Sequence, residues 1–402
     1  MDHLHLLKAC FLLIPAFLLG CLVFSSWRWP KRLPAAIVLA VVLAFGVAAW
    51  LPGIMDYLVS FSIMAIIYSI LSLGLNAQWG YNGHLDFGVA GFFAVGAFTM
   101  ALFVTSEPAG AMAAYAQQWF GFNAPYLVGV VAAGIMAGVV AYLIAQPILH
   151  LRADFLAIAT LGIAEIIRLI FQNERWLANG PQPLSGITQP LSCLLDSANP
   201  CSWLPEAVKP ALSAMAPRDY SYLYLVIVSL GLAVVYVLLE TMVRSPWGRA
   251  LRAVRDEEES AAMNGKPVKS LRVQSFVLGA VIIGVAGALY APYMVTIDYS
   301  HFKPLFATFL VWVMLMLGGS GNNKGAILGA FVIWAVWSGT GFVTNYLQVA
   351  LQNVAPDMAA RMSFLRWAFV GLLLALIVLY RPQGILPEKK RVSRFIPDSP
   401  KK

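Results

Sequence analysis

Runs of about twenty apolar residues, free of charge and repeated along the whole chain, limit most strongly what this sequence can become. Residues 57–79 and 125–149 contain no Asp, Glu, Lys or Arg. At about 1.5 Å of rise per residue, such a run crosses the ~30 Å hydrocarbon core of a bilayer as a helix. The 402 residues are 60% apolar and 11% charged, against about 45–50% and 25% in a soluble domain. A soluble enzyme, a disordered chain and a nucleic-acid-binding domain are excluded. A membrane β-barrel is excluded too, because its strands alternate apolar and polar residues over about ten positions. The pattern predicts an all-α polytopic bundle of about ten or eleven transmembrane helices. Eleven spans are read, near 5–26, 35–51, 57–79, 87–105, 125–149, 155–173, 220–241, 273–295, 305–318, 326–349 and 363–380.

Lys and Arg set the expected orientation. If the segments after spans 1, 3, 5, 7, 9 and 11 lie in the cytoplasm, that side holds 19 of the 27 basic residues, the other side holds 7, and Arg168 lies within a span. Basic loops stay on the cytoplasmic side, so the N-terminus is expected outside and the C-terminus inside. The net charge of +8 is thereby explained, and the basic residues form no stripe for nucleic acid. The first run is read as a span and not a cleaved leader, because it continues past Cys21 into the interface anchor Trp27-Arg28-Trp29. Cys10 and Cys21 lie in that run. Cys193 and Cys201 lie in the outside loop, where a disulfide is permitted, and they are expected to pair. No spacing of Cys and His suggests a metal, and no cofactor is expected.

Two apolar runs are broken by Gly and Asn. The first break is Trp79-Gly80-Tyr81-Asn82-Gly83-His84-Leu85-Asp86-Phe87-Gly88, and the second is Leu317-Gly318-Gly319-Ser320-Gly321-Asn322-Asn323-Lys324-Gly325. Paired interrupted segments in two halves point to a transport pathway, although tight turns between closely packed helices give the same pattern. Neither break is a nucleotide loop. Lys324 precedes Gly325 and Lys266 precedes Pro267, where a phosphate-binding loop needs Lys followed by Ser or Thr.

The stretch Gly80–Phe98 resembles the Gly-rich segment of permeases in the branched-chain amino-acid ABC importers. So do Arg152-Ala153-Asp154-Phe155-Leu156-Ala157-Ile158-Ala159-Thr160-Leu161-Gly162 with Ala164-Glu165-Ile166-Ile167-Arg168 after it, Ser245-Pro246-Trp247-Gly248-Arg249-Ala250-Leu251-Arg252-Ala253-Val254-Arg255, Gly284-Val285-Ala286-Gly287-Ala288-Leu289-Tyr290 and the closing Tyr380-Arg381-Pro382-Gln383-Gly384-Ile385-Leu386. The closing motif looks like the LivM-type subunit more than its LivH-type partner or the urea permease. His84 and Asp86 depart from the family pattern, as does the Pro-rich stretch 181–217. The resemblance covers roughly 57–387. It implies accessory helices over 1–56, a permease core over 57–387 and a basic cytoplasmic tail over 388–402. It also implies an inner-membrane location, a second, LivH-type permease, two cytoplasmic ABC ATPases, a periplasmic solute-binding protein and a branched-chain amino acid as solute. A permease for urea or short amides, an ion-coupled secondary transporter and an intramembrane enzyme are the alternatives. The last two lack, respectively, an intramembrane acidic cluster and a catalytic constellation within the spans.

The resemblance requires an ATPase contact. Residues 249–265 are expected to form a short coupling helix, entered through Pro246 and stopped by Gly265 and Pro267. Its small residues Ala261, Ala262 and Gly265 would sit in an ATPase groove, with Arg249, Arg252, Arg255, Asp256 and Glu259 at the rim. An ordinary basic inside loop is the plainer reading of the same residues. Asn82, Gly83, His84, Asp86 and Phe87 in the first break, and Gly318, Gly319 and Asn322 in the second, are pathway candidates; for His84 and Asp86 two alternatives stand, solvated turn residues, which is the favoured one, and lining of the cytoplasmic exit. Glu165 and Arg168, three apart within span 6, are either a structural ion pair or a contact for a zwitterionic solute.

Overall fold

A computed structural model describes residues 55–105, 121–192, 219–352, 358, 361–380 and 383–388. The first two expected spans, the four cysteines with their expected disulfide, and the tail beyond 388 lie outside the described residues. All nine remaining spans coincide with helices. These are α1 (Met55–Leu75), α2 (Val89–Val104), α3 (Tyr126–Ile148), α4 (Ala153–Asn173), α6 (Tyr220–Arg244), α9 (Val268–Met294), α10 (Leu310–Gly318), α11 (Asn323–Leu351) and α12 (Leu365–Tyr380). Short α5 (Arg175–Ala178) follows α4, while α7 (Pro246–Asp256) and α8 (Glu258–Met263) fill the segment between α6 and α9. Two π-helical turns, Asn76–Gly80 and Leu305–Phe309, extend α1 and precede α10. Among the described residues, five helices are long and apolar enough to cross a membrane: α1 with its π turn, α3, α6, α9 and α11.

Helices α1 and α9 are mostly buried, whereas α3, α6 and α11 bury only one side. Helix α9 is central because glycines remove the side chains that would hold its neighbours away. A Cβ on Gly287 would stand 2.4 Å from the Phe93 carbonyl oxygen of α2, and one on Gly284 would stand 2.4 Å from Ala137 Cβ of α3. Close approach through small residues is how helices associate where lipid removes the hydrophobic drive. Outward faces are apolar, as with Leu127, Val131 and Ile135 of α3 and Leu230, Val234 and Val237 of α6.

The helices alternate in direction, so the bundle has two ends. One carries α7, α8 and the arginines and lysines from Arg244 to Arg272, and is called here the basic end. At the opposite end, Leu184–Ser185 (β1) pairs antiparallel with Thr296–Ile297 (β2). There Asp298 caps the 3-10 turn Tyr299–Phe302, accepting from Ser300 N at 2.9 Å, the Ser300 hydroxyl at 2.6 Å and His301 N at 3.3 Å. Partial burial pushes the Asp298 carboxyl up, but these donors and the adjacent His301 pull it further down, so it stays below the usual carboxylate range.

Candidate functional site

Three stretches far apart in sequence meet at the basic end: the first Gly break, the second Gly break and residues 383–388. Asn76, in the π turn ending α1, donates to Asn323 Oδ1 at 3.0 Å and accepts from Gly321 N at 2.9 Å. Tyr81 donates to the same Asn323 oxygen at 2.9 Å, and Asn323 Nδ2 reaches Glu240 Oε2 at 2.9 Å. Asn322 caps α11 through Lys324 N at 3.1 Å and holds the Leu386 carbonyl at 3.1 Å. Ile385 N and Leu386 N donate to the carbonyls of Leu317 and Gly318 at 2.8 and 3.0 Å. Gly319, at φ +108°, leaves no room for a Cβ, which would stand 2.5 Å from the Leu386 oxygen. Gly318, Gly319 and Asn322, expected as pathway residues, are therefore placed here as joints between backbones.

The two breaks differ in kind. The second is a tight turn between α10 and α11. The first turns at Gly83, φ +79°, and then runs as non-helical backbone into the bundle. Its far end meets Thr308, whose hydroxyl oxygen accepts from Ala90 N at 3.0 Å and donates to the Phe87 carbonyl at 3.2 Å. Thr308 lies about 15 Å along the helix from Gly318 at 1.5 Å per residue. Residues 81–88 thus descend from the basic end to membrane depth. Non-helical backbone is tolerated there only when protein surrounds it or water reaches it. Phe87 stacks on Trp312 with ring centroids 4.8 Å apart, and Trp312 Nε1 donates to the Asp86 carbonyl at 2.9 Å.

His84 and Asp86 are not solvated turn residues, which corrects that alternative: they are 6% and 0% exposed. Asp86 Oδ1 accepts from Gly88 N at 2.7 Å, and Thr160 and Gln78 lie beside the carboxylate. Asp86 Oδ2, Gln78 Oε1 and both amide atoms of Asn82 have no hydrogen-bond partner among the described residues. An unsatisfied buried polar atom costs about 1–3 kcal/mol, so these four atoms are the ones at which an added hydrogen-bonding partner would gain most.

The expected helix over 249–265 is two helices. Glu257, at φ −156° and ψ 99°, breaks it between α7 and α8, and Gly265 stops it at φ +73°. Glu258 pairs with Arg272 across the turn, so Glu257 stands where the chain must bend to form that pair. Arg249, Asp256, Glu259, Ala262 and Met263 are exposed, whereas Ala261 is buried. Arg252 and Arg255, expected at an outer rim, turn inward. Glu388 lies 3.1 Å from Arg252 Nε and 2.9 Å from Arg255 Nη2. Arg255 also donates to the Gly80 carbonyl, and the Arg252 guanidinium lies 5.4 Å from the Tyr81 ring centre. The charge of α7 is thereby joined to the first break directly and to the second through residues 383–388. Glu388, assigned from sequence to the start of the tail, is part of this junction. The anchors Asn76, Tyr81, Glu240 and Asn323 were not singled out from sequence, though a polar residue ending an apolar run was a signal for the two asparagines.

Far from this junction, Glu165 and Arg168 pair on α4, with Arg168 Nε 2.9 Å from Glu165 Oε2. The structure does not bring this pair together with the breaks.

Residues 57–380 match the family described as the permease component of branched-chain amino acid transport systems. The chain belongs to that family. It is a multi-pass helical membrane permease, and the family is a transport component, not an enzyme. Among curated relatives, the high-affinity branched-chain amino acid transport system permease protein LivM of Escherichia coli is 28% identical over 376 residues, covering 93% of this chain and 78% of that protein. The probable branched-chain amino acid transport permease protein LivM of Methanocaldococcus jannaschii is 27% identical, covering 80% and 91%. The autoinducer 2 import system permease protein LsrC of Photorhabdus laumondii is 25% identical over 195 residues, covering 48% of this chain and 50% of that protein. No solved structure matches.

Proposed function

We propose that this permease carries branched-chain amino acids through a bacterial inner membrane as one subunit of an ATP-driven importer. A second, LivH-type permease completes the membrane part, two cytoplasmic ATPases supply the energy, and a periplasmic binding protein delivers the solute. The N-terminus lies outside and the C-terminus inside, so the basic end is cytoplasmic, in keeping with the positive-inside bias.

The junction at that end carries the reading. A coupling element must present a surface to an ATPase and be fixed to the parts that move the solute. Here α7 and α8 present Arg249, Asp256, Glu259, Ala262 and Met263 outward, while Arg252 and Arg255 fix α7 to the first break and to Glu388, whose neighbours Ile385 and Leu386 hold the second. The extended segment 81–88, with Asn82, Gly83, His84, Asp86 and Phe87, is the element such a link would shift, and its buried polar atoms are the ones that gain from hydration when it does.

Ala262→Trp tests the coupling role. The position is exposed, so the permease itself should fold and insert. Overpacking a docked contact costs about 1–3 kcal/mol, which weakens ATPase association by roughly ten- to a hundredfold. Ala261→Trp is the contrast: its side chain is buried within the permease, so that variant should lose folded protein. The measurement is co-purification of the ATPases with the permease, alongside leucine uptake. Full association and full uptake in Ala262→Trp would reduce the segment between α6 and α9 to a basic loop that only sets topology.

A further inference from the structure

The geometry points to Glu165 and Arg168 as a station that holds the zwitterionic head of the amino acid, with the solute ammonium on Glu165 and its carboxylate on Arg168. This rests on the importer reading above and adds to it the residues that recognise the charged head.

Charges within a membrane helix face a bundle interior, a partner or water, and they pair. Among the described residues the Glu165 side chain is 39% exposed, while that of Arg168 is 13% exposed and packs against Tyr299 of the bundle; the outer part of the same face is formed by Phe155, Ile158, Leu161 and Ile166. One turn before Glu165, a Cβ on Gly162 would meet nothing within 4 Å, so the helix surface is open at that position. At about 1.5 Å per residue, Glu165 lies roughly 12 Å from the Asn173 end of α4. That is the end opposite the ATPase-facing junction and the end at which a delivered solute enters.

The guanidinium is held ready. Its Nε is 3.0 and 2.9 Å from the two Glu165 oxygens, its Nη1 donates to Gln172 Oε1 at 3.1 Å, and it lies 5.6 Å from the Tyr299 ring centre. Tyr299 is fixed by the Asp298 cap. Glu165 thus occupies the forked face of Arg168 that a solute carboxylate would use. When a zwitterion arrives, its carboxylate takes Arg168 and the released Glu165 takes its ammonium. One ion pair becomes two, and no charge is left bare in a medium of low dielectric. A neutral amide or urea has no charges with which to make that exchange.

The experiment uses the assembled importer in proteoliposomes with leucine-loaded binding protein. Glu165→Gln should lower leucine uptake per ATP hydrolysed at least tenfold. The swap Glu165→Arg with Arg168→Glu keeps an ion pair at the same spacing, so a structural pair predicts uptake restored to the wild-type rate. The proposal predicts that uptake stays at least tenfold down, because the order of charges along the path is reversed. Restored uptake in the swap, or wild-type uptake in Glu165→Gln, would overturn it. A second measurement does not depend on these variants assembling. Gly162→Cys, read above the parent's background, should react with a cationic membrane-impermeant thiosulfonate and be protected by leucine-loaded binding protein. No reaction would mean that the face meets lipid or a dry partner, and the proposal fails. Wild-type uptake in the same vesicles checks the importer reading separately.

Discussion

Replacing Gly96 with leucine should abolish recovery of a folded permease. A Cβ at Gly96 would stand 2.1 Å from the Gly284 carbonyl oxygen and 2.6 Å from its Cα. These are backbone atoms, so no rotamer change relieves the clash. Helix α9 has little room to retreat either, because α3 lies so close on its other side that a Cβ on Gly284 would stand 3.0 Å from the Ala133 oxygen. Overpacking costs about 1–3 kcal/mol where side chains can adjust, and occasionally more; a contact between backbones belongs to the upper end. The loss should be at least tenfold in monodisperse protein after extraction, measured by size-exclusion chromatography of a fluorescent fusion. Gly339→Leu is the control. Nothing lies within 4 Å of a Cβ there, and that variant should be recovered like the parent. Equal recovery of Gly96→Leu would mean that α2 and α9 do not cross this closely.

The spans and their order were legible because lipid imposes a simple rule: backbone groups must be satisfied internally, so apolar length reads directly as helix. The expected span 220–241 is Tyr220–Arg244, and 305–318 is the π turn and α10 together. The two Gly breaks were also legible as breaks. Their difference was not, since Gly and Asn signal a turn whether the chain doubles back, as at Gly318–Asn323, or descends, as at Gly83–Gly88. The burial of Asp86 and His84 could not be read, because polarity in a sequence suggests solvent, and only the packing of Trp312, Thr160 and Thr308 shows otherwise. The split at Glu257 has no Gly or Pro to announce it. Likewise, nothing in the local pattern separates Arg249, which is exposed, from Arg252 and Arg255, whose partner Glu388 is more than a hundred residues away. Charge placement across such distances is a tertiary fact.

That partner gives the second large effect. Glu388→Ala should lower leucine uptake about tenfold while leaving ATP hydrolysis by the assembled importer in place. One carboxylate holds two guanidiniums, Arg252 at 3.1 Å and Arg255 at 2.9 Å, and both arginines also touch the first break, at the Tyr81 ring and the Gly80 carbonyl. Removing it leaves two like charges facing each other and frees α7 from residues 383–388. The side chains are a quarter to a third exposed, so screening keeps the cost near 1–2 kcal/mol, between the surface and buried limits. That is too little to unfold a bundle held by α9. On the coupling role proposed above, it is enough to let α7 move with an ATPase without carrying the breaks along. Arg255→Lys sharpens the test. Lysine keeps the charge but is a single point, unable to fork between Glu388 and the Gly80 oxygen. It should therefore fall between the parent and Glu388→Ala in uptake per ATP hydrolysed. If Glu388→Ala transports at the parent rate, the junction does not couple. If it instead depletes the permease from the membrane, Glu388 is a folding residue and the link from α7 to the breaks must run through Arg255 and Gly80 alone.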